Sequence, residues 1–225
     1  MFMLEKTVPW GRSFKEYRQM FALSDSDLKK KFLGCGDGPA AFNSELSKLG
    51  GNVVSVDPLY GENGADISQR IDDIFTTVMN QIEQNKTEFC WSEISSPQEL
   101  SKIRKHAMDM FLLDYDLGRK QSRYQFGALP KLCFTDNTFD LALVSHLLFL
   151  YSEHFDFDWH LQSITELLRI ADEVRVFPLL ELGSQPSRHV GPILDALADQ
   201  NIDFEVRKVD YEFQKGGNEM LVLRN

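Results

Sequence analysis

The sequence predicts an α/β domain built on a mostly parallel β-sheet and carrying a helical insertion. Three observations support this. A short strand, a glycine turn, a helix and a second strand follow one another between Lys31 and Asp57. Strand and helix patterns alternate again from Phe139 to Asp199, and two strand-like runs close the chain. Between these regions, residues 62–124 show helical periodicity with little strand signal. A strand–helix–strand unit needs a crossover connection, which makes its two strands parallel.

Residues 1–29 read as N-terminal helices. Phe14, Tyr17, Met20 and Phe21 recur at helical spacing, and Ser13 with Glu16 forms a capping-box pattern. A second short helix is expected from Ser26 or Asp27. Lys31–Leu33 is a short strand that runs into Gly34, Cys35, Gly36, Asp37 and Gly38. The helix expected over Ala40–Leu49 buries Ala41, Phe42, Leu46 and Leu49, and stops at Gly50 and Gly51. Asn52–Asp57 is a second buried strand, halted by Pro58.

Ile67, Ile71, Ile74, Phe75, Val78 and Ile82 form one helical stripe in the insertion. Leu100, Ile103, Ala107, Met110 and Phe111 form another, from Pro97 or Gln98 toward Leu113. Beyond Tyr124, Phe139–Ser145 is a strand and Asp158–Ile170 a helix capped by Asp158. Glu173–Leu180 is a strand that ends or bulges at Pro178, and Pro192–Asp199 is the last helix. Phe204–Tyr211 and Glu219–Leu223 flank Lys215, Gly216, Gly217 and Asn218, a hairpin connection.

At 225 residues the chain suits one domain, and 43% apolar with 26% charged residues excludes a disordered chain. The net charge of −10, from 34 acids against 24 basic residues, disfavours nucleic acid as a partner. The basic clusters at Lys29–Lys31, Arg104–His106 and Arg119–Arg123 are short and flanked by acids, so they read as solvated faces. Cys35, Cys90 and Cys133 form no CxxC pair, and no apolar run approaches a membrane span. A cytoplasmic protein that does not contact membranes is expected; its oligomeric state stays open. No metal is expected, because His154, Asp156, Asp158 and His160 match no ligand spacing.

The glycine turn carries the functional reading. A strand that turns tightly into a helix needs glycines where backbone approaches a ligand, and the helix offers free N–H groups there. Asp57 stands 19 residues after Gly38, at the end of the next strand, where a carboxylate can accept two ribose hydroxyls. Pro39 occupies the position where a dinucleotide site wants glycine, which disfavours a nicotinamide-dependent oxidoreductase.

The run Leu33-Gly34-Cys35-Gly36-Asp37-Gly38 resembles the first motif of class I S-adenosylmethionine-dependent methyltransferases, L-G-C-G-x-G. Leu132 to Leu141 is similar to the stretch that leads into their fourth strand, often L-P-F-P-D-N-S-F-D-L. The resemblance spans about Lys30 to Leu223, apart from the insertion. It implies a Rossmann-like sandwich with a seven-stranded sheet whose last strand is antiparallel. It also implies S-adenosyl-L-methionine as cofactor and a small-molecule or unidentified acceptor as substrate.

By position, the family implies that Gly34, Gly36 and Gly38, with Cys35 among them, line the methionine part. Asp57 would hold the ribose, and Pro58 and Leu59 would lie beside the adenine, with Leu129 offering backbone to its edge. Ser145 belongs to the same cofactor-binding set. The chain departs from the family at Phe32 and Ala128, where acids are usual. A catalytically inactive cofactor-binding or regulatory protein with this fold is therefore the alternative function.

His146, at the end of the fourth strand, reads as a general base or as a packed, strand-capping histidine. Leu147–Tyr151 reads as pocket floor or as buried packing. Phe14 and Tyr17 read as lid or as core. Tyr211, Asn218, Arg188 and His189 are rim candidates by position alone.

Overall fold

The computed structural model describes residues 8–224; the first seven residues of the N-terminal block lie outside them. The chain opens with α1 (Phe14–Met20) and then alternates through β1 (Lys31–Cys35), α2 (Phe42–Lys48) and β2 (Asn52–Val56). The helices α3 (Gly64–Gln84) and α4 (Pro97–Lys120) lead to β3 (Tyr124–Gln125) and β4 (Phe139–Ser145). Then come α5 (Phe157–Ile170), β5 (Ala171–Phe177) and a small hairpin, β6 (Leu180–Glu181) and β7 (Gln185–Pro186). The chain ends with α6 (Val190–Asp199), β8 (Asp203–Lys208) and β9 (Glu219–Arg224).

Seven strands form one sheet in the order β3-β2-β1-β4-β5-β9-β8. The pairs from β3 to β5 are parallel, and β9 runs antiparallel to both of its neighbours. Both faces of the sheet are covered, so the middle of β4 is apolar from Leu141 to Val144 and alternates between two cores. In β4, Leu141 and Leu143 face a core with α1 and α2, while Ala142 and Val144 face one with α5 and α6. The strand order reverses between β1 and β4. A crevice opens beyond the carboxyl ends of strands at such a point.

Several boundaries differ from expectation. The turn glycine Gly34 and Cys35 lie inside β1, because they pair in register with Ser55 and Val56. The Asp156 carboxylate, not Asp158, caps α5, accepting the Trp159 amide at 2.8 Å. Helix α4 continues seven residues past Leu113, although Leu113 and Leu117 are exposed. Strand β8 ends at Lys208, three residues before Tyr211, whereas β5 ends at Phe177, directly before Pro178 as expected.

A buried ion pair ties α1 to α4. The expected capping box forms at Ser13, and the same Glu16 carboxylate accepts Arg104 Nη1 at 2.6 Å and the Tyr211 hydroxyl at 2.9 Å. Burial alone would raise the Glu16 carboxyl; the charge and hydrogen bond of Arg104 outweigh it and hold the group at about 2. Removing one partner leaves the other charge buried and uncompensated. Glu16→Ala is therefore expected to destabilise the protein by about 3–5 kcal/mol in denaturant unfolding. A loss below about 1 kcal/mol would show that Arg104 does not depend on this partner.

Candidate functional site

A cavity of about 560 Å³ opens beyond the carboxyl ends of β1, β2 and β4, a volume typical of small-molecule sites. The turn after β1 forms its wall through Cys35, Gly36, Asp37 and Gly38. The Asp57 carboxylate, at the end of β2, reaches back to this turn. Its Oδ2 accepts the Gly38 amide at 2.9 Å and its Oδ1 the Leu59 amide at 2.8 Å. Each carboxylate oxygen keeps acceptor capacity beyond one amide, so two further donors can be served. Burial raises the Asp57 carboxyl, opposed by these two amides.

Each turn glycine has its own role. A Cβ on Gly34 would stand 1.8 Å from the Asp37 carboxylate, so this glycine makes room for that group. Gly36 adopts φ +68° against the Leu147 side chain. Gly38 adopts φ +51°, and a Cβ there would meet nothing within 4 Å. The Asp37 carboxylate accepts the Tyr17 hydroxyl at 2.8 Å and the Ser55 hydroxyl at 2.6 Å. Burial pushes its pKa up to about 6 despite these bonds, and Asp57 adds to the rise. Burial, with the charges of Asp37 and Asp57, also raises the Cys35 thiol, which stays protonated and unreactive.

On the β4 side, Ser145 and His146 line the cavity. His146 has φ +57°, a left-handed conformation that histidine adopts more readily than most residues, and its amide donates to the Phe177 carbonyl at 2.7 Å. Its Nδ1 lies 2.9 Å from the Ser145 hydroxyl. Burial, with the charges of Arg12 and Arg104, holds its pKa well below the usual histidine value. The imidazole is neutral, the form that accepts a proton.

The comparisons with known proteins agree with this architecture. No protein-family model matches the chain. It is 34% identical over 222 residues to the uncharacterized protein MJ0045 of Methanocaldococcus jannaschii, covering 98% of this chain and 97% of that protein. The chain belongs to the MJ0045 family. Among solved structures, the methyltransferase domain of bacterial CtHen1-CN is similar with a TM-score of 0.50 and 14% identity, covering 93% of this chain and 100% of that one. A SAM-dependent methyltransferase from Aquifex aeolicus has a TM-score of 0.44 at 16% identity, over 93% and 87% of the two chains. The fold of this MJ0045 relative is that of class I methyltransferases.

Of the site residues that the sequence singled out, Cys35, Gly36, Gly38, Asp57, Pro58, Leu59, Leu129, Ser145 and His146 line this one cavity. Gly34 is not a lining residue; it lies behind Asp37. Leu147, Leu150 and Tyr151 line the cavity, whereas Leu148 and Phe149 pack into the core. Tyr17 lines it as a fixed wall, while Phe14 stacks on Phe42 away from it.

The rim candidates do not reach the cavity. The Tyr211 hydroxyl is spent on Glu16, and Arg188 pairs with Glu181. Asn218 faces Glu212, and His189 faces the Ser152 carbonyl. His160 also has a structural role: its Nε2 accepts the Phe149 amide at 3.1 Å, and its Nδ1 lies 2.7 Å from the Asp156 carbonyl. Phe32 meets Phe42 edge-on inside the α1–α2 core, and Ala128 lines the cavity without a polar group.

The lining residues Trp10, Arg12, Phe155, Trp159 and Phe213 were not anticipated. They are scattered along the chain in no motif, and tertiary contacts gather them. The Ala41 amide donates to the Arg12 carbonyl at 3.0 Å, and a Cβ on Gly11 would stand 2.0 Å from the Pro39 carbonyl. The segment before α1 is thus pressed against the start of α2.

The raised Asp37 pKa has a measurable consequence. Between pH 3.8 and about 6 the unfolded state releases this proton while the folded state keeps it. The folded protein therefore loses stability as the pH rises through that window. Compared with Asp37→Asn, the native protein should lose up to about 3 kcal/mol of relative stability over this range. Parallel stability–pH curves would show that Asp37 titrates normally.

Proposed function

We propose that the chain binds S-adenosylmethionine in this cavity and transfers its methyl group to a small-molecule acceptor. The observation that carries this reading is the Asp57 carboxylate. It is fixed by two amides, retains acceptor capacity, and stands against a glycine turn that leaves open space at Gly38. These features fit the cofactor. Gly36, Gly38 and Cys35 would lie along its methionine part, Asp57 would take the ribose hydroxyls, and Pro58, Leu59 and Leu129 would flank the adenine. Asp37 would supply, at the turn itself, the negative charge that relatives of this fold usually carry where this chain has Phe32.

When bound, the cofactor supplies an electrophilic methyl group on a sulfonium. The chain contributes position and orientation, which such a displacement chiefly needs. Neutral His146 is available to take a proton from the acceptor, with Ser145 orienting its ring. Ala128, apolar where an acid is usual, favours the second reading, a binding or regulatory protein that has lost turnover.

Calorimetry with S-adenosylmethionine and S-adenosylhomocysteine tests the first step. Both are expected to bind, and absence of heat at millimolar ligand would overturn the proposal. Asp57→Ala should weaken binding by about 2–4 kcal/mol, because hydrogen bonds to a charged acceptor are lost. Unchanged affinity would show that the ribose is held elsewhere. His146→Ala should slow transfer of labelled methyl into cell-extract acceptors while cofactor affinity stays the same. Cofactor binding with no label transferred by the native protein would favour the regulatory reading.

A further inference from the structure

The cavity is lined by a cation, Arg12, that has no counter-ion among the described residues. Arg12 Nη1 donates to the Trp10 carbonyl at 3.0 Å, while Nε is buried without an acceptor. The carboxylate whose field reaches Arg12 is Glu16, which is already bonded to Arg104 and Tyr211. Among the described residues no carboxylate forms an ion pair with Arg12. A guanidinium stays charged in any protein environment, so burial cannot neutralise it. The Trp10 carbonyl and the Glu16 field offset its desolvation in part, and an anion on the free side of the guanidinium would offset the rest.

The rest of this wall is apolar. Trp10, Tyr151, Phe155, Trp159 and Phe213 line the cavity, with Phe155 and Trp159 stacked at 3.9 Å between ring centroids. Such a wall selects an apolar or aromatic body, and Arg12 adds a single positive charge beside it.

The geometry points to an acceptor that is an organic carboxylate with an apolar body, its carboxylate paired with Arg12. This deepens the methyl-transfer reading and rests on it. A monoanion matches one guanidinium that has already committed Nη1 to a carbonyl; a phosphate dianion would leave charge unpaired in an apolar wall.

The test uses the full chain, with and without saturating S-adenosylhomocysteine, and follows tryptophan fluorescence, since Trp10 and Trp159 line the cavity. Benzoate, phenylacetate, 3-phenylpropionate and indole-3-acetate are each titrated beside their primary amides. At least one acid is expected to bind about 10-fold or more tightly than its amide, the scale of one charge-assisted hydrogen bond. Arg12→Gln should abolish that preference while S-adenosylhomocysteine still binds, and Arg12→Lys should retain part of it. The inference is overturned if no acid outbinds its amide, if the preference survives in Arg12→Gln, or if phenyl phosphate binds more tightly than every acid. Should Arg12→Gln fail to fold, the acid–amide comparison in the native protein decides. Cofactor binding is measured separately, so its absence would end the methyl-transfer reading without deciding the anion preference.

Discussion

The Asp37 carboxylate folds back over Gly34 and accepts one hydroxyl from α1 and one from β2. Three separate parts of the chain depend on this group. Gly34 must lack a side chain to admit it, Tyr17 must come from a helix positioned by the Glu16–Arg104 pair, and Ser55 must face the turn from the neighbouring strand. Tyr17 in turn stacks on Phe42 at 4.7 Å, and Phe42 meets Phe32. Phe32 thus completes an aromatic block beneath the turn. An acid at that position would be buried in apolar surroundings with no partner, at high cost. The chain instead carries its carboxylate five residues later, where two hydroxyls satisfy it.

The same arrangement divides the cavity electrostatically. Asp37 and Asp57 stand at the turn and the end of β2, both with raised pKa values because burial opposes their charge. Arg12 stands against the start of α2, its charge reinforced by Arg104 behind it. Like charges, buried or partly buried, repel within each group, and the cavity between them carries a field from the basic to the acidic side. A cationic methyl donor beside the acids and an anionic acceptor beside Arg12 would each relieve the strain on their own side. Both partners of the proposed transfer would then find counter-charges already in place, which would lower the reorganisation needed on binding.

Much of this was legible in the sequence, and the part that was not has a physical cause. The strand–turn–helix–strand unit around Gly34–Asp57 and the closing hairpin follow from local periodicity and turn chemistry, so they could be read directly. So could the capping box at Ser13, whose partners are three residues apart. The second role of Glu16, as partner of Arg104, involves a contact 88 residues away that no local pattern encodes. Strand β3 has only two residues and too short a span for periodicity to register. Asp37 was visible within the motif, but its fold back onto Gly34 depends on Tyr17 and Ser55. Arg12 had no motif at all; the packing of Gly11 against Pro39 and the Ala41 amide bond to its carbonyl bring it to the cavity.

These placements would make His146, if it serves as the base, depend on the anion proposed to pair with Arg12. His146 is neutral because burial and the charges of Arg12 and Arg104 all oppose the imidazolium. That environment keeps the ring unprotonated but makes it a weak base, poor at holding a proton once it accepts one. A carboxylate seated on Arg12 would cancel much of the nearer positive field, and the imidazolium would then cost less. Proton acceptance would strengthen when an acceptor is bound and stay weak when none is. In the proposed site Arg12 would thus couple proton acceptance at His146 to the bound acceptor, and the left-handed turn at His146 holds the ring where both influences act on it.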